Sequence, residues 1–151
     1  MESGRKEMLE KLRKYCAYQE RSHHDVVQKM WDLKIPKDWR DDMLISLIQE
    51  NFLNEERFAR TYVRGKFNIK KWGRIKIIQG LKQHKVSQKC IQLGLTEIDE
   101  DRYLETLHDT IELKRSKLNE KNPWKRRGAI YKFVTGRGFE GNMVTEAIKN
   151  L

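Results

Sequence analysis

The stretch FLNEERFARTYV, Phe52–Val63, sets the frame for the whole chain. Asn54 is placed to cap a helix by accepting a backbone N–H from two or three residues on. Glu55 and Glu56 follow in the first turn, where negative charge complements the helix dipole. Phe58, Ala59, Tyr62 and Val63 then recur at the spacing that lines one helical face. Leu53 therefore closes one helical unit, and Asn54 opens the next. A basic tract begins inside the same stretch. From Arg57 to Thr96 there are eleven Lys or Arg and no Asp or Glu.

On the N-terminal side the pattern predicts a helix from about Glu7 to Tyr18 with Leu9, Leu12 and Cys16 inward. Ser22-x-x-Asp25 has the form of a capping box and opens a second helix, with Val26, Val27, Met30 and Leu33 on its buried face. Pro36 disfavours a helical conformation at Ile35 and ends it. A third helix carries Met43, Leu44, Leu47 and Ile48 inward.

On the C-terminal side the helix begun at Asn54 runs to about Phe67. Trp72-Gly73 opens the next, with Ile75, Ile78 and Leu81 inward, and Ser87 caps a short third carrying Cys90, Ile91 and Leu93. Glu100-Asp101-Arg102-Tyr103-Leu104 then echoes Glu55-Glu56-Arg57-Phe58-Ala59, with Asp99 as cap and Tyr103, Leu104, Leu107 and Ile111 inward. Asn122-Pro123 combines a cap residue with proline at the first helical position. That helix buries Ile130, Phe133 and Val134. Gly136-Arg137-Gly138 breaks it, and a last helix holds Met143, Val144, Ala147 and Ile148.

The breaks Lys34-Ile35, Lys85-Val86 and Gly138-Phe139 occupy equivalent places, as do the apolar anchors Met30, Leu81 and Val134. Their spacing is a degenerate repeat of roughly 45 to 50 residues, the kind that builds arrays of helical units. No window alternates apolar and polar residues, so no strand is expected. The prediction is an all-α chain of three tandem three-helix modules, 1–52, 53–97 and 98–151, in an elongated, curved array.

Composition agrees with thin amphipathic helices rather than one thick core. Of 151 residues, 38% are hydrophobic and 36% charged. The first residues lack the apolar run of a signal peptide, and the apolar cluster Met43–Ile48 is too short to span a bilayer. The expected location is cytoplasmic. Cys16 and Cys90 lie on apolar stripes outside any CxxC pair and read as small buried hydrophobes. His23, His24, His84 and His108 are scattered, and no H-x-x-x-H or P-loop pattern occurs. The expectation is a non-enzyme with no catalytic, metal or cofactor site. The acidic cluster Glu97, Asp99, Glu100 and Asp101 reads as helix capping.

The charge distribution is informative. Residues 57–96 sum to +11, 97–113 to −6 and 114–137 to +8. A solvated helical surface mixes signs, so a forty-residue acid-free run points instead to a polyanion. Gln79 and Gln83 are too few to read bases, so contact through phosphates, without sequence choice, is expected. The residues expected to carry it are Arg60, Arg64, Lys70, Lys71, Arg74 and Lys76 in the first block, and Lys125, Arg126, Arg127, Lys132 and Arg137 in the second. Trp31, Trp39, Trp72 and Trp124 have the chemistry to stack on bases. Trp72 and Trp124 stand at matching helix starts and read as packed between helices.

Ser22-x-x-Asp25 before Met30 and Ile35, the Leu53–Ala59 run with Tyr62-Val63, Trp72-Gly73 with Ile78 and Leu81, and Arg137-Gly138-Phe139 together resemble the RecX regulatory proteins of bacteria. The resemblance covers essentially the whole chain, and its middle block is the specific part. It implies tandem three-helix modules and a monomer that binds the RecA–DNA filament and inhibits RecA ATPase and recombinase activity in DNA repair and the SOS response. The partners it implies are RecA and single-stranded or duplex DNA, with no membrane. The chain departs from the family at Asp25, where glutamate is usual, at Lys34 and Lys85, where glycine is usual, and at Gly136, where a second arginine is frequent. The other reading of the same residues is a non-specific DNA-binding protein built from helix-turn-helix-like modules.

Overall fold

The computed structural model describes residues 2–151, and among these all regular structure is helical. The elements are α1 (Glu2–Tyr18), α2 (His23–Asp32), α3 (Lys37–Gln49), α4 (Glu55–Asn68), α5 (Arg74–Gln83), α6 (Gln88–Leu95), α7 (Glu100–Lys117), α8 (Pro123–Gly136) and α9 (Gly141–Ile148). The side-chain caps expected from the sequence form. Ser22 Oγ accepts from Asp25 N, and Asp25 accepts in return from Ser22 N, both at 3.0 Å. Asn54 accepts from Arg57 N at 2.9 Å, Ser87 from Cys90 N at 3.2 Å, and Asp99 from Arg102 N at 3.0 Å. Asn122 accepts from Trp124 N at 3.0 Å, with Pro123 in the first turn. Each cap satisfies a donor that the first helical turn leaves without an internal partner.

Helix ends are as specific as helix starts. Lys34 and Lys85 adopt left-handed backbone, φ 56° and 60°. The next residue then donates five positions back, Ile35 N to Met30 O at 3.0 Å and Val86 N to Leu81 O at 3.1 Å. This 6→1 bond is the mark of a Schellman ending. Asn51 (φ 64°) closes α3 in the same way through Phe52 N and Leu47 O. Gly138, third of the predicted break positions, has φ +100°.

Contacts divide the chain into two compact units. One contains residues up to Tyr62 and Leu81–Gly94. The other contains Val63–Gly80 and Leu95–Leu151. In the first unit Leu12 and Cys16 of α1 meet Val26 and Met30 of α2 and Met43 and Leu47 of α3, with Ile35 and Leu53 closing the cluster. Burial pushes the Cys16 thiol up to about 11, which keeps it a neutral hydrophobe. Arg57 closes this unit by donating to Glu20 at 2.6 Å, to the Asn51 side chain and carbonyl at 3.1 Å, and to the Phe52 carbonyl at 3.3 Å. Gly94 lies against Ala59, where an added Cβ would sit 3.1 Å from the Ala59 carbonyl. His84 packs on Phe58 and Tyr62 at 5.2 and 5.6 Å and meets Asp25 at 2.9 Å. It is a structural residue.

In the second unit the core runs along α7, α8 and α9 through Tyr103, Leu107, Ile111, Ile130, Val134, Val144 and Ile148. Phe67 and Phe139 flank Tyr103 at 5.9 and 5.2 Å between ring centres.

Several expected inward positions are corrected. Ile48, Ile75 and Leu104 are exposed, at 42%, 44% and 43%. In α5 the buried pair is Ile77 and Leu81, spaced i, i+4, with Ile78 only half-buried. Phe133 is half-buried rather than core, and Cys90 likewise. In each case the apolar stripe has more members than a thin three-helix core has room for. Helix α1 starts earlier than the apolar pattern suggested, because its first turns are polar and carry no periodic signal.

Candidate nucleic-acid interface

Most of the residues expected to meet phosphate fall in the second unit; Arg60 belongs to the first. The second unit also contains a backbone joint. Gly73 N donates to the Arg137 carbonyl at 2.8 Å, and Ile75 N to the Gly138 carbonyl at 2.9 Å. Between them, Arg74 N donates to the Tyr103 hydroxyl at 3.0 Å. Donors at the start of α5 are thus satisfied by carbonyls at the end of α8 and by one phenol. The start of α5 is therefore closed to an anion. No side chain fits at the joint. A Cβ on Gly73 would overlap the Gly138 carbonyl, and one on Gly138 would lie 2.7 Å from Lys76 N.

The joint brings Trp72-Gly73 and Arg137-Gly138-Phe139 together from distant parts of the sequence. Arg74 sits at its centre. Its guanidinium lies 3.8 Å over the Tyr103 ring, pairs with Glu140 at 3.0 Å and also pairs with Glu100. The Tyr103 hydroxyl donates to Glu140. Burial first, and the Glu140 bond second, push the Tyr103 phenol well above its usual range. Arg74 is therefore charge-balanced within the fold, at 20% side-chain exposure.

The other predicted cations divide by what already holds them. Arg60 pairs with Glu56 at 3.0 Å and Arg64 with Glu97 at 2.6 Å. Arg126 donates to the Glu120 carbonyl at 2.8 Å and tethers the loop before α8. Lys70, Lys71, Lys125 and Lys132 are exposed and make no ion pair among the described residues. Lys76 lies 4.6 Å over Trp72, which Lys66 covers at 4.8 Å. Arg137 lies 5.1 Å over Phe133, with Lys114 at 5.5 Å from the same ring. Cations over half-buried aromatic faces keep their charged heads toward water.

Trp124 was expected to pack between helices. It is 79% exposed instead. Arg127 lies 5.1 Å over its ring, and both line a groove of about 470 Å³ with Tyr131, Ile148 and Lys149. Tyr103 and Glu140, which organise the joint, were missed as functional supports. The only sequence signal was the Tyr103 echo of Phe58, and Glu140 carried none.

Among the described residues no group of three or more His, Cys, Asp or Glu is placed to hold a metal ion. Among the described residues no helix is long and apolar enough to cross a membrane.

Residues 54–95 match the family model described as RecX, second three-helix domain. A RecX second three-helix domain thus accounts for this segment of the chain. The chain is similar to the regulatory protein RecX of Lactobacillus gasseri, 29% identical over 91 residues, covering 60% of this chain and 34% of that protein. It is also similar to the regulatory protein RecX of Limosilactobacillus reuteri, 24% identical over 136 residues, covering 90% of this chain and 51% of that one. The chain thus spans about a third to a half of the length of these curated relatives. A crystal structure of regulatory protein RecX superposes with TM-score 0.87 at 22% identity, over 97% of this chain and 73% of that one. RecX from Lactobacillus salivarius superposes with TM-score 0.88 at 18% identity, over 100% and 98%. The helical RecX fold expected from the resemblance is therefore present.

Proposed function

We propose that this chain binds the RecA–DNA filament in the cytoplasm and inhibits RecA ATPase and recombinase activity, as a regulator in DNA repair and the SOS response that acts by binding rather than catalysis. The supporting observation is the RecX second-domain match over the same span, 54–95, that holds most of the acid-free basic tract. In this reading the three modules 1–52, 53–97 and 98–151 act as a monomer, and the two basic blocks face the filament's phosphates. Lys70, Lys71, Lys76, Lys125, Arg127, Lys132 and Arg137 are the contacts of choice, since none is neutralised by an ion pair among the described residues. Arg60, Arg64, Arg74 and Arg126 shape the surface that carries them. Attraction of this kind accelerates encounter and weakens with salt.

The exposed Trp124 beside Arg127 favours a second reading, direct non-specific binding to DNA through stacking and phosphate contact. Binding to bare single-stranded DNA and to RecA-coated DNA, measured at matched salt, separates the two. Tighter binding to the coated strand, with inhibition of ATP hydrolysis, is expected. Equal or weaker binding, with ATP hydrolysis unaffected, would leave only the second reading.

A further inference from the structure

A second cationic and aromatic surface lies in the first unit, built from residues the charge profile passes over. Residues 1–56 sum to −2, yet a shallow, open groove of about 480 Å³ runs between α1 and α2 with no Asp or Glu in its lining. That volume falls within the roughly 300–1,000 Å³ of ligand-sized clefts. Lys11, Lys14, Tyr15 and Tyr18 follow i, i+3, i+4, i+7 along α1 and form one wall, and Lys29 of α2 and Leu33 at its C-terminal cap form the other. Arg21 closes the end. Its Nε donates to the Tyr15 carbonyl at 2.9 Å, and its guanidinium lies 3.7 Å over the Tyr15 ring. Lys29 approaches the same ring at 5.2 Å. Tyr18 is 83% exposed, with Arg21 at 5.9 Å. The nearby carboxylate of Asp25 is engaged by Ser22 N and His84, and Lys11, Lys14, Arg21 and Lys29 make no ion pair among the described residues.

We propose that this α1–α2 groove binds single-stranded nucleic acid, with bases stacked on Tyr18 and on the Arg21–Tyr15 stack, and phosphates held by Lys11, Lys14 and Lys29. The floor is made of aromatic and guanidinium planes, the surfaces on which unpaired bases stack. An acidic peptide fits less well. Leu33 is the one aliphatic side chain in the lining, and both walls are helical, so no sheet edge is open to an extended chain. The site uses none of the basic residues assigned above, and its test needs no RecA.

The test uses the whole chain and a fluorescein-labelled oligothymidylate, followed by anisotropy across a salt series. Lys11→Gln/Lys14→Gln/Lys29→Gln is expected to weaken binding and flatten the log K against log salt slope by about 2, since three single-strand phosphate contacts are lost. Tyr18→Ala, at an exposed position, is expected to weaken binding about five- to a hundredfold with the slope unchanged. An oligonucleotide carrying 5-iodouracil is expected to crosslink to Tyr15 or Tyr18. Wild-type affinity in both variants, with the wild-type circular dichroism spectrum, would overturn the proposal. So would crosslinks mapping only outside α1 and α2. A polyglutamate peptide that binds in a Tyr18- and lysine-dependent way while the oligonucleotide does not would assign the groove to an acidic protein segment instead.

Discussion

Gly73 and Gly138 meet backbone to backbone, with the Gly73 amide donating to the carbonyl beside Gly138 and no space for a Cβ on either residue. The contact explains why glycine stands at both positions, for different reasons. Gly138 also needs its φ of +100°, whereas Gly73 needs only the absence of a side chain. The joint fixes where the cations of residues 66–76 lie relative to Arg137 within the second unit, so it supports the proposed interface without being part of it.

Gly73→Ala is expected to separate these two backbones. Overpacking against backbone has no flexible side chain to absorb it, so the cost is set at about 3 kcal/mol, the upper end of the usual range. Urea denaturation should show the lower midpoint. Hydrogen exchange should show faster exchange at the Ile75 amide, whose acceptor is the Gly138 carbonyl. Wild-type protection at Ile75 would exclude the joint.

Tyr103 gives the second unit a dependence on alkaline pH. Its folded pKa is raised above the ordinary tyrosine value, by burial and then by Glu140. A raised folded pKa means that the unfolded chain loses this proton first. The stabilisation is fully present below about pH 10 and falls as pH rises beyond it, by up to about 1.4 kcal/mol per pH unit. Tyr103→Phe should be less stable at neutral pH, having lost the bonds to Glu140 and Arg74 N, and should decline less steeply above pH 10. Parallel alkaline profiles for the two proteins would contradict this.

Lys34 and Lys85 stand in left-handed conformation where glycine is unstrained. A side chain there costs about 1–2 kcal/mol, and glycine returns roughly 0.5–1 of that through the entropy of the unfolded chain. Lys34→Gly and Lys85→Gly should each raise stability by about 0.5–1 kcal/mol in denaturant titrations. Loss of stability in either would mean that the lysine side chain makes a contribution its φ angle does not reveal.

Helix boundaries were legible because they rest on local chemistry. Ser22, Asn54, Ser87, Asp99 and Asn122 each need only a backbone N–H two or three residues away, and a single sequence contains that information. The joint was not legible in the same way. Gly73 and Gly138 show as glycines near helix ends, but nothing local says that they touch. The exposure of Trp124 was misread because its match with Trp72 suggested equal packing, whereas Trp72 lies under Lys66 and Lys76 and is half-buried, and Trp124 lies under Arg127 and is 79% exposed. The α1–α2 groove was hidden by summation, because its four cations lie on one face of a segment that is acidic elsewhere.

Phe58 and Phe133, both expected to point inward, should respond differently. Phe58 is 5% exposed, and Phe58→Ala should cost about 3–5 kcal/mol. Phe133 is half-buried under Arg137 and Lys114, so Phe133→Ala should cost about half as much. Equal losses in thermal or urea unfolding would show that the outer face of Phe133 is covered in solution.

The proposed filament contact is best tested with charges the fold does not use. Arg74→Glu would set a third carboxylate beside Glu100 and Glu140, and its effect on RecA would be confounded with damage to the joint. Lys70→Glu/Lys71→Glu and Lys125→Glu/Lys132→Glu change only exposed lysines, one pair from each basic block. Both variants should keep the wild-type circular dichroism spectrum. If both blocks grip one polyanion, the second contact forms at high effective concentration, so losing either should remove more than half of the inhibition of RecA ATPase. Wild-type affinity should fall steeply with salt, and each variant should show a shallower slope because fewer counterions are released. Normal inhibition with the wild-type slope in both variants would move the contact to apolar or acidic faces, such as the exposed side of α7, and the electrostatic part of the proposal would be wrong.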